Sequence, residues 1–473
     1  MQYLWDRNEL VNILGNKIIG NLVMGVTGVS IDSRSLQKGD IFFAINGNNY
    51  DGHDFLEHAI KAGAAAIVAD KKYLDKITNL IEIYSKNITV FLVDDVLLAL
   101  EKLAIFARAR TKAKVIAVTG SVGKTTTKEL FLVALQQIGK THVSPASFNN
   151  HWGVPLSLAR LPKDYDYAIF EIGMNHKGEI DKLSKMVKPD IGVVTLIAPA
   201  HLGAFSSLHE IALAKAELFD NMNLSATIFL NKDDIFTDVL ITKVPANVQI
   251  KYFGVSSEDI NYKASNIVNY SDKIKFFFKD VDNNISFPVN LKLMPLHIVK
   301  NSIAVLGVVA YLKEDLSKAI KGIENFSLGA GRGLTYKINI ADKGEIVIID
   351  ESYNANPVSM IETLKFFASL TNSKGKKIAI LADMLELGEQ TQYYHENLAE
   401  VILSLKLDKI LLLGNNMKFL HDILLPYNIS IHNSTIEELY ENLLKNINKD
   451  DYLMLKGSNA MDLKKLLSKI SEI

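Results

Sequence analysis

The sequence contains no cysteine among its 473 residues. This absence excludes disulfide bonds, thiolate metal sites and a cysteine nucleophile, and it suits a reducing compartment. An excess of either charge sign is also missing, because 52 basic residues stand against 53 acidic ones. The formal net charge of −1 gives no overall field that would attract nucleic acid or an anionic membrane. We therefore expect no nucleic-acid partner.

Long apolar runs and a leader-like start are missing too. The first residues contain Asp6 and Glu9 and lack a basic segment followed by an apolar one, so we expect no secretory signal. The apolar run at 303–312 is far shorter than the ~20 residues that span a bilayer. We expect a cytoplasmic protein without a membrane span, acting as a monomer.

The length of 473 residues suggests about three domains, at roughly 150 residues each. Residues 1–95 alternate short apolar runs with amphipathic helices, which indicates a small α/β domain. A larger unit follows at 96–326, and a third α/β unit occupies 327–473. The glycine-rich segment SLGAGRGL begins at residue 327 and has the composition of a linker, so we expect a hinge near 327–333.

The central unit has the pattern of a parallel sheet. Its strand-like runs at 115–118, 167–172 and 192–195 are apolar throughout, which is typical of strands covered on both faces. Near 250–292, IKYFGV, KIKFFFKD and ISFPVNLKL predict an insert of antiparallel strands. The predicted fold class is α/β with three domains: a central domain with a parallel sheet and a β insert, a smaller α/β N-terminal domain and a Rossmann-like C-terminal domain.

The segment TGSVGKTTT at 119–127 follows a predicted strand and opens a predicted helix. Its glycines let backbone N–H groups turn around phosphate oxygens, and the helix N-terminus adds positive potential. Lys124 supplies a charge for the outer phosphates and Thr125 a hydroxyl for Mg²⁺. The two glycines stand closer together than in the usual phosphate loop, and an ordinary strand-to-helix turn is the alternative. The central unit is therefore predicted to be a P-loop ATPase domain. The residues predicted to bind ATP here are Thr119, Gly120, Ser121, Val122, Gly123, Lys124, Thr125 and Thr126.

Magnesium at such a loop needs further oxygen or imidazole ligands near the carboxyl ends of the strands. Glu171 ends one apolar strand, and His201 follows the next strand along the chain. Both are therefore candidate metal ligands beside Thr125. A purely structural role is the alternative for each, and for His201 the two interpretations are evenly balanced.

Lys215 lies in the predicted helix IALAKAELF. The three- and four-residue spacing places it on one face with Ile211, Leu218 and Phe219. A lysine on an apolar stripe usually runs its aliphatic stem along the surface and keeps its amine in water. From the residues alone, such a surface position of Lys215 is favoured over a role in the site.

With these motifs, the sequence resembles the Mur ligase family, the ATP-dependent amide-forming enzymes of peptidoglycan precursor synthesis. The similarity extends along nearly the whole chain, in family order. The matching segments are DSR at 32–34, KGDIFFAINGNNYDGHDF at 38–55, TGSVGKTTT at 119–127, SFNNHWGVPLSL at 147–158, EIGMN at 171–175, AHLGAF at 200–205, AKAELF at 214–219, NKDD at 231–234, GR at 331–332, DESYNANP at 350–357 and LADMLELG at 381–388.

DESYNANP and LADMLELG are most similar to the family member that adds D-Ala-D-Ala. The resemblance implies that ATP phosphorylates the terminal carboxylate of UDP-MurNAc-tripeptide, and that the amine of D-Ala-D-Ala then displaces phosphate to give UDP-MurNAc-pentapeptide. It also implies that CO₂ carbamylates Lys215, which turns a cation into a carboxylate able to ligate Mg²⁺.

Further roles are implied by position within the matching segments. The implied catalytic residues are Lys124, Lys215 and His201. The implied metal ligands are Thr125, Glu171, His201 and Lys215. The implied additional nucleotide contacts are Asn301, Arg332 and Glu351. The implied substrate contacts are Asp32, Ser33 and Arg34 for the UDP group, Asn149 and Asn150 in the middle domain, and Tyr353, Asn354 and Asn356 around the acceptor.

Some positions depart from the family pattern. Pro295 and Ile298 replace a glycine and an asparagine in the segment before the last helix of the middle domain, and Ala382 replaces a glycine. Asn459 replaces an arginine near the C-terminus, and Lys456 is a candidate to take over its contacts. None of these changes affects the phosphate loop or the proposed metal ligands.

Two other functions stay open. One is a related amide ligase, such as an enzyme that extends folate with glutamate, which the DSR-type first domain disfavours. The other is a non-catalytic protein that binds precursors under nucleotide control. The presence of Lys124, Glu171, His201 and Lys215 argues against that second function.

Overall fold

The computed structural model describes residues 3–84, 88–270, 272–341, 343–371 and 374–472. These residues form three sheets of five, nine and six strands and one two-stranded ribbon. The predicted α/β class and its three-domain arrangement are therefore confirmed. No helix in the described ranges is both long and apolar enough to cross a bilayer.

The first domain is a five-stranded sheet with helices. Its elements are β1 (Trp5–Asp6), α1 (Arg7–Leu14), β2 (Ile18–Gly20), β3 (Gly25–Val26), β4 (Val29–Ser30), β5 (Ile41–Phe43), α2 (Leu56–Lys61), β6 (Ala66–Asp70), α3 (Leu74–Tyr84) and β7 (Thr89–Val93). The strand order is β2-β7-β6-β5-β4, and only β2 runs antiparallel to its neighbour. The side chain of Asp6 accepts the N–H of Glu9, and the side chain of Glu9 accepts the N–H of Asp6. This capping box begins α1.

The central domain is the largest unit. Its helices are α4 (Val96–Arg110), α5 (Lys124–Leu135), α6 (Gly153–Ala159), α7 (Glu179–Val187), α8 (Leu208–Ala216), α9 (Thr237–Ile241), α10 (Leu296–Tyr311) and α11 (Leu316–Glu324). Its strands are β8 (Lys114–Thr119), β9 (Thr141–Val143), β10 (Tyr167–Glu171), β11 (Ile191–Val194), β12 (Thr227–Asn231), β13 (Gln249–Gly254), β14 (Tyr262–Asn269), β15 (Lys273–Asp280) and β16 (Ile285–Lys292).

One continuous sheet contains all nine of these strands, in the order β16-β15-β14-β13-β12-β11-β8-β10-β9. The seven neighbouring strands β14-β13-β12-β11-β8-β10-β9 pair in parallel. The pairs β14–β15 and β15–β16 are antiparallel. The antiparallel prediction is thus right for the end of the insert and wrong for IKYFGV, which forms β13. Because β13 pairs in parallel with β12 along its length, the insert extends the parallel sheet.

The central sheet separates two apolar cores. Ile116 and Val118 of β8 lie in one core, and Val115 and Ala117 lie in the other. The first core packs against α5, α10 and α11, and the second packs against α6, α7 and α8. Coverage of both faces explains why these strands are apolar throughout.

The third domain is a six-stranded sheet with helices. Its elements are β17 (Leu334–Ile340), β18 (Gly344–Glu351), α12 (Pro357–Ser369), β19 (Lys377–Ala382), α13 (Thr391–Glu396), α14 (Leu398–Ser404), β20 (Lys409–Leu413), α15 (Met417–Leu424), β21 (Ser430–Asn433), α16 (Ile436–Asn446), β22 (Tyr452–Lys456) and α17 (Leu463–Ser471). The order is β17-β18-β22-β19-β20-β21. Every pair is parallel except β17 with β18, as in a Rossmann-like sheet with an added edge strand.

Helix α4 follows the predicted boundary at residue 95 and serves two domains. It buries Leu100 and Leu103 in the core of the first domain and Ala104 in the second core of the central domain. The first domain is also tied to α6, because Nε1 of Trp5 donates to the carbonyl of Ala159 at 2.9 Å. The boundaries at 95 and 326 stay predictions.

Candidate active site

The phosphate loop, residues 120–123, connects β8 to α5. Gly120 has a φ of 143° and Gly123 a φ of 86°, values that favour glycine. A Cβ at Gly120 would also overlap Oγ1 of Thr195. Both backbone conformation and space therefore require glycine here, and the loop presents the N-terminus of α5 to the site.

Lys124 begins α5 and turns back over the loop. Its Nζ donates a hydrogen bond to the carbonyl of Gly120 at 2.8 Å. Burial lowers the pKa of Lys124, the carboxylate of Glu171 opposes this shift, and the charge of Arg332 adds to it. A buried cation is stabilised by an anion, and a glycine loop with free N–H groups suits a polyphosphate.

Several buried polar atoms around the loop have no hydrogen-bond partner among the described residues. They include Oγ1 of Thr119, Oγ of Ser121 and Nδ2 of Asn301. Asn301 lies against the loop, since a Cβ at Gly123 would be 3.1 Å from its Nδ2. Unpaired buried groups are costly, so the loop fits a ligand that supplies hydrogen-bonding atoms. The contact of Asn301 with ATP itself stays a prediction.

Thr125 and Glu171 meet where the magnesium ion is predicted. Oγ1 of Thr125 donates to Oε2 of the buried Glu171 at 2.8 Å, and Nδ2 of Asn149 donates to Oε1 at 2.7 Å. Hydroxyl and carboxylate oxygens suit Mg²⁺, so these residues fit the ion. Among the described residues, however, no group of three or more His, Cys, Asp or Glu side chains is placed to hold a metal.

Lys215 is 1% exposed, which contradicts the interpretation of an amine kept in water. Within the described part of the chain it makes no hydrogen bond and no ion pair. Burial lowers its pKa well below the usual value, and the charge of Lys124 lowers it further. These conditions favour the neutral, nucleophilic amine.

His201 lies in the loop after β11 with a φ of 58°. Its Nδ1 is 2.7 Å from Oε2 of Glu386 in the third domain. Burial lowers the pKa of His201, Glu386 opposes this, and the charges of Lys124 and Lys215 add to the lowering. The structure thus brings His201 near both lysines and pairs it with a residue that the motifs did not single out.

Ser147 is a further residue that sequence reasoning missed. Nη2 of Arg332 donates to its Oγ at 3.2 Å, the hydroxyl of Tyr353 lies 2.9 Å from it, and Oγ1 of Thr125 lies 3.3 Å from it. The guanidinium carbon of Arg332 also lies 3.9 Å from the centre of the Tyr353 ring. Ser147 therefore joins the third domain to the phosphate loop. Only its place in SFNN, two residues before Asn149, indicated this role.

Lys128 is also buried and was not predicted. Its Nζ donates to the carbonyl of Ser144 at 2.8 Å and to that of Ala146. These contacts fix the loop that carries Ser147 and Asn149. Its position four residues after Lys124, on a helix whose other side is apolar, was the available signal.

Glu351 ends β18 and pairs with Lys456 of the neighbouring β22. Their charged atoms are 3.6 Å apart, and Nζ of Lys456 donates to the carbonyl of Asn354 at 3.1 Å. Burial raises the pKa of Glu351, and Lys456 counteracts this. The charge of Arg332 also acts on Glu351, which places this pair near the same interface.

The family departures have different surroundings. Ile298 is buried in the first apolar core of the central domain, and Ala382 is buried at the end of β19. Asn459 is exposed in a short 3₁₀ turn. Lys456, the candidate to replace the family's arginine, is buried against Glu351. A buried positive charge is therefore present near Asn459 in spite of the missing arginine.

Some predicted substrate contacts have local structural roles. Oδ1 of Asn150 accepts the N–H of Gly153 at the start of α6. Oδ1 of Asn356 accepts the N–H of Ser359 and caps α12. Oδ1 of Asn354 accepts the N–H of the next residue. Their contact with substrate stays a prediction.

Asp32 and Arg34 pair with each other at the surface of the first domain. Nη2 of Arg34 is 2.7 Å from Oδ2 of Asp32, and this hydrogen bond lowers the pKa of Asp32. Ser33 between them is buried. Among the described residues, these three side chains make no hydrogen bond or ion pair with the phosphate loop, so any shared role requires a substrate that reaches both.

Three family models match successive parts of the chain. They are described as Mur ligase family, catalytic domain, at 25–108; Mur ligase middle domain, at 118–309; and Mur ligase, glutamate ligase domain, at 338–459. A protein from Rickettsia prowazekii is 34% identical over 98% of this chain and 99% of its own length. The chain belongs to the Mur ligase family. The resemblance stated from its motifs is thereby confirmed.

Individual relatives cover this Mur ligase almost completely. The Rickettsia protein and one from Bacillus subtilis, 30% identical over 94% and 93% of the two chains, are both named UDP-N-acetylmuramoyl-tripeptide–D-alanyl-D-alanine ligase. A crystal structure of MurF from Acinetobacter baumannii has a TM-score of 0.83 at 27% identity and covers 99% of each chain. MurF from Thermotoga maritima, in complex with ADP, has a TM-score of 0.77 at 26% identity over 94% and 97%.

Proposed function

We propose that this Mur ligase joins D-alanyl-D-alanine to UDP-MurNAc-tripeptide at the expense of ATP, forming UDP-MurNAc-pentapeptide for peptidoglycan synthesis. The observation that carries the proposal is one cluster, in which the phosphate loop and its Thr125–Glu171 pair meet Arg332 and Tyr353 of the third domain at Ser147. Relatives named for this activity match almost the entire chain, and a similar structure contains ADP.

The first chemical step activates the carboxylate. One of its oxygens attacks the γ-phosphorus of ATP, and the bond from that phosphorus to ADP breaks, which leaves an acyl phosphate. Negative charge spreads over the phosphoryl oxygens during this transfer, so cations placed against them lower the barrier. In this proposal, Lys124 at the start of α5 and Arg332 from the third domain supply these cations.

The second step forms the amide. The amine nitrogen of D-Ala-D-Ala attacks the acyl carbon, and the tetrahedral intermediate expels phosphate with the electron pair of the breaking C–O bond. The nitrogen gives up one proton on the way to the neutral amide. Positioning of the two reactants supplies much of the rate acceleration in such a step, which explains why the site is built between domains.

Thr125, Glu171, His201 and a carbamylated Lys215 are the residues that would hold Mg²⁺. When bound, Mg²⁺ neutralises charge on the phosphate oxygens. The amine nitrogen of Lys215 would bond to the carbon of CO₂ and lose a proton, so that a buried, partnerless amine becomes a carboxylate. This modification suits the burial and lowered pKa of Lys215. It would also add a carboxylate to a site where the described residues form no group of three or more His, Cys, Asp or Glu side chains.

Each domain has its own substrate in this proposal. The residues for the UDP group are Asp32, Ser33 and Arg34 in the first domain. The central domain holds ATP and contacts the tripeptide through Asn149 and Asn150. The residues around D-Ala-D-Ala are Tyr353, Asn354 and Asn356 in the third domain, which moves about a hinge near 327–333. We infer a cytoplasmic monomer, since ATP and UDP-linked precursors are made in the cytoplasm.

The test is product formation with purified components. We expect phosphate release and a pentapeptide product, identified by mass spectrometry, only when ATP, UDP-MurNAc-tripeptide and D-Ala-D-Ala are all present. Omitting either peptide substrate should reduce phosphate release to background. Turnover with folate and glutamate would instead support the related amide ligase, and a folded protein silent with every set would support the non-catalytic binder.

A further inference from the structure

A second contact joins the third domain to the central domain. Nδ1 of His201 lies 2.7 Å from Oε2 of Glu386, and the N–H of Gly203 donates to the carbonyl of Glu386 at 3.2 Å. His201 belongs to AHLGAF and Glu386 to LADMLELG. The contact therefore links a proposed metal ligand to a residue that the chemistry above does not use.

Both loops are shaped for this contact. His201 has a φ of 58° and Glu386 a φ of 64°, in a region that residues other than glycine occupy rarely. Gly388 and Gly203 approach so closely that a Cβ at Gly388 would lie 3.1 Å from the Cα of Gly203. Unfavourable conformations persist only where the surrounding contacts determine them. The geometry of the pair is thus fixed from both sides.

The loop that carries Glu386 is held within its own domain. The N–H of Met384 donates to Nε2 of His395 at 3.1 Å, and the N–H of Leu385 donates to Oγ of Ser458 at 2.9 Å. His395 is fully buried. Because the two residues before Glu386 are fixed in this way, its carboxylate is presented to the central domain in a set direction.

Stability is a poor explanation for the pair. The side chain of Glu386 is 65% exposed and that of His201 is 27% exposed, and exposed ion pairs are screened by water and salt. A carboxylate on Nδ1 has a different effect, because it fixes the tautomer and the ring orientation of an imidazole. Within the described residues, Nε2 of His201 makes no hydrogen bond, so it is available to a ligand.

We propose that Glu386 is a positioning residue, which orients His201 when the third domain docks on the central domain. Its carboxylate accepts the proton of Nδ1–H, so that Nε2 is unprotonated and directed toward the phosphate groups and their metal. The site is then complete only when the domain that carries the acceptor is docked. Glu386 matters for turnover only if the proposed ligase activity is correct.

Three variants test this role. Glu386→Ala removes the acceptor, Glu386→Gln keeps an oxygen that can accept from Nδ1–H, and Glu400→Ala removes an exposed carboxylate from α14 of the same domain as a control. We expect Glu386→Ala to lower kcat about 10- to 100-fold and to raise the half-saturating Mg²⁺ concentration. Glu386→Gln should recover most of the loss, and Glu400→Ala should match the wild type.

Two further measurements do not depend on activity. Nitrogen-15 spectra of histidine-labelled protein report the tautomer of His201, whose resonance is identified by its loss in His201→Asn. Docking of the third domain is measured as the distance between two spin labels, attached to cysteines that replace the exposed Leu224 and Leu425. Because the natural chain contains no cysteine, the labels react at these two positions alone. We expect Glu386→Ala to change the His201 spectrum and Glu386→Gln to preserve it, with the label distance unchanged in both.

Two results would overturn the role of Glu386. One is wild-type kcat, Mg²⁺ requirement and His201 spectrum in Glu386→Ala. The other is an equal loss of kcat in Glu386→Ala and Glu386→Gln together with a longer label distance, because the charge of Glu386 would then only hold the two domains together. If the wild type itself releases no phosphate with all three substrates, the proposed function fails, while the nitrogen spectra still decide whether Glu386 orients His201.

Discussion

Two buried amines, Lys124 and Lys215, lie close enough at this site that the charge of one lowers the pKa of the other. Each positive charge is costly without an anion. In the proposed site, a bound polyphosphate would relieve that cost at Lys124, and conversion to a carbamate would relieve it at Lys215. The proposed carbamate would place an anion beside the Lys124 cation, and this alternation of charge suits a metal-bound phosphate.

Replacement of Lys215 tests this interpretation at a single residue. We expect Lys215→Ala, and the similarly sized Lys215→Met, to lower kcat by about 10³-fold or more, since each removes a charged group from the transition state. The Met variant should keep or raise the free energy of unfolding, because an apolar group replaces an amine buried without a partner. Phosphate release and thermal unfolding are the measurements.

Lys185→Ala is the matched control, because Lys185 is exposed on α7. It should leave both kcat and the unfolding midpoint at wild-type values. Wild-type turnover in Lys215→Met would remove Lys215 from the proposed metal site.

Strand β8, the phosphate loop and helix α5 form the strand–loop–helix element that the glycines of the sequence predict. The loop turns at Gly120 and Gly123 through φ values that other residues avoid, and it places Lys124 at the first position of the helix. The short Gly-x-x-Gly spacing is therefore compatible with a phosphate loop.

Gly120→Ala tests the requirement for glycine in that element. The new Cβ would overlap Oγ1 of Thr195, and the φ of 143° is strained for alanine, so we expect a loss of roughly 1–3 kcal/mol in the free energy of unfolding and much weaker ADP binding. Denaturant unfolding and calorimetric titration with ADP measure the two effects.

Gly329→Ala is a suitable control for unfolding, because Gly329 has no heavy atom within 4 Å of the added Cβ. Its free energy of unfolding should change by less than about 1 kcal/mol. Equal stability and ADP affinity in Gly120→Ala and the wild type would show that the loop tolerates a side chain.

Elements with a continuous apolar pattern were predictable, and contacts between domains were not. The predicted strands at 115–118, 167–172 and 192–195 match β8, β10 and β11 with ends that shift by one residue. The direction of β13 was missed because a single strand pattern does not encode its partner. Ser147 was missed for a similar reason, since its three contacts reach residues far away in the chain.

For the whole molecule, the stability of the native state should depend on pH through buried histidines. Burial lowers the pKa of His142 to about 4 from an ordinary value of 6.5, while Nε2 of this residue contacts the carbonyl of Ser157 at 2.8 Å. Between pH 6.5 and 4 the unfolded chain takes up a proton that the native state does not. Stability is therefore full above pH 6.5 and falls as the pH drops toward 4.

His142→Gln should make that fall shallower by about 1 kcal/mol per pH unit. Urea unfolding at several pH values between 4 and 7 measures the slope. The exposed His209 provides His209→Gln as the control, with a slope like that of the wild type. An identical slope in His142→Gln and the wild type would show that His142 takes up its proton equally in both states.

The meeting of the central and third domains at one cluster is what distinguishes this site from a nucleotide site alone. The central domain alone offers a place for phosphates, and Arg332, Tyr353 and Glu386 reach that place from the third domain. Sequence motifs predicted which residues share a function. They did not indicate which of them touch, because those contacts depend on how separate domains pack.

The proposed reaction is tested most directly by the transfer of an oxygen atom from the substrate carboxylate to the released phosphate. The terminal carboxylate of UDP-MurNAc-tripeptide is labelled with oxygen-18, and the enzyme turns over with ATP and D-Ala-D-Ala. An acyl phosphate requires one labelled oxygen to leave with each phosphate, so we predict singly labelled phosphate in step with pentapeptide formation. Pentapeptide formed together with unlabelled phosphate, or labelled phosphate without D-Ala-D-Ala incorporation, would show that the amide is not made in this way.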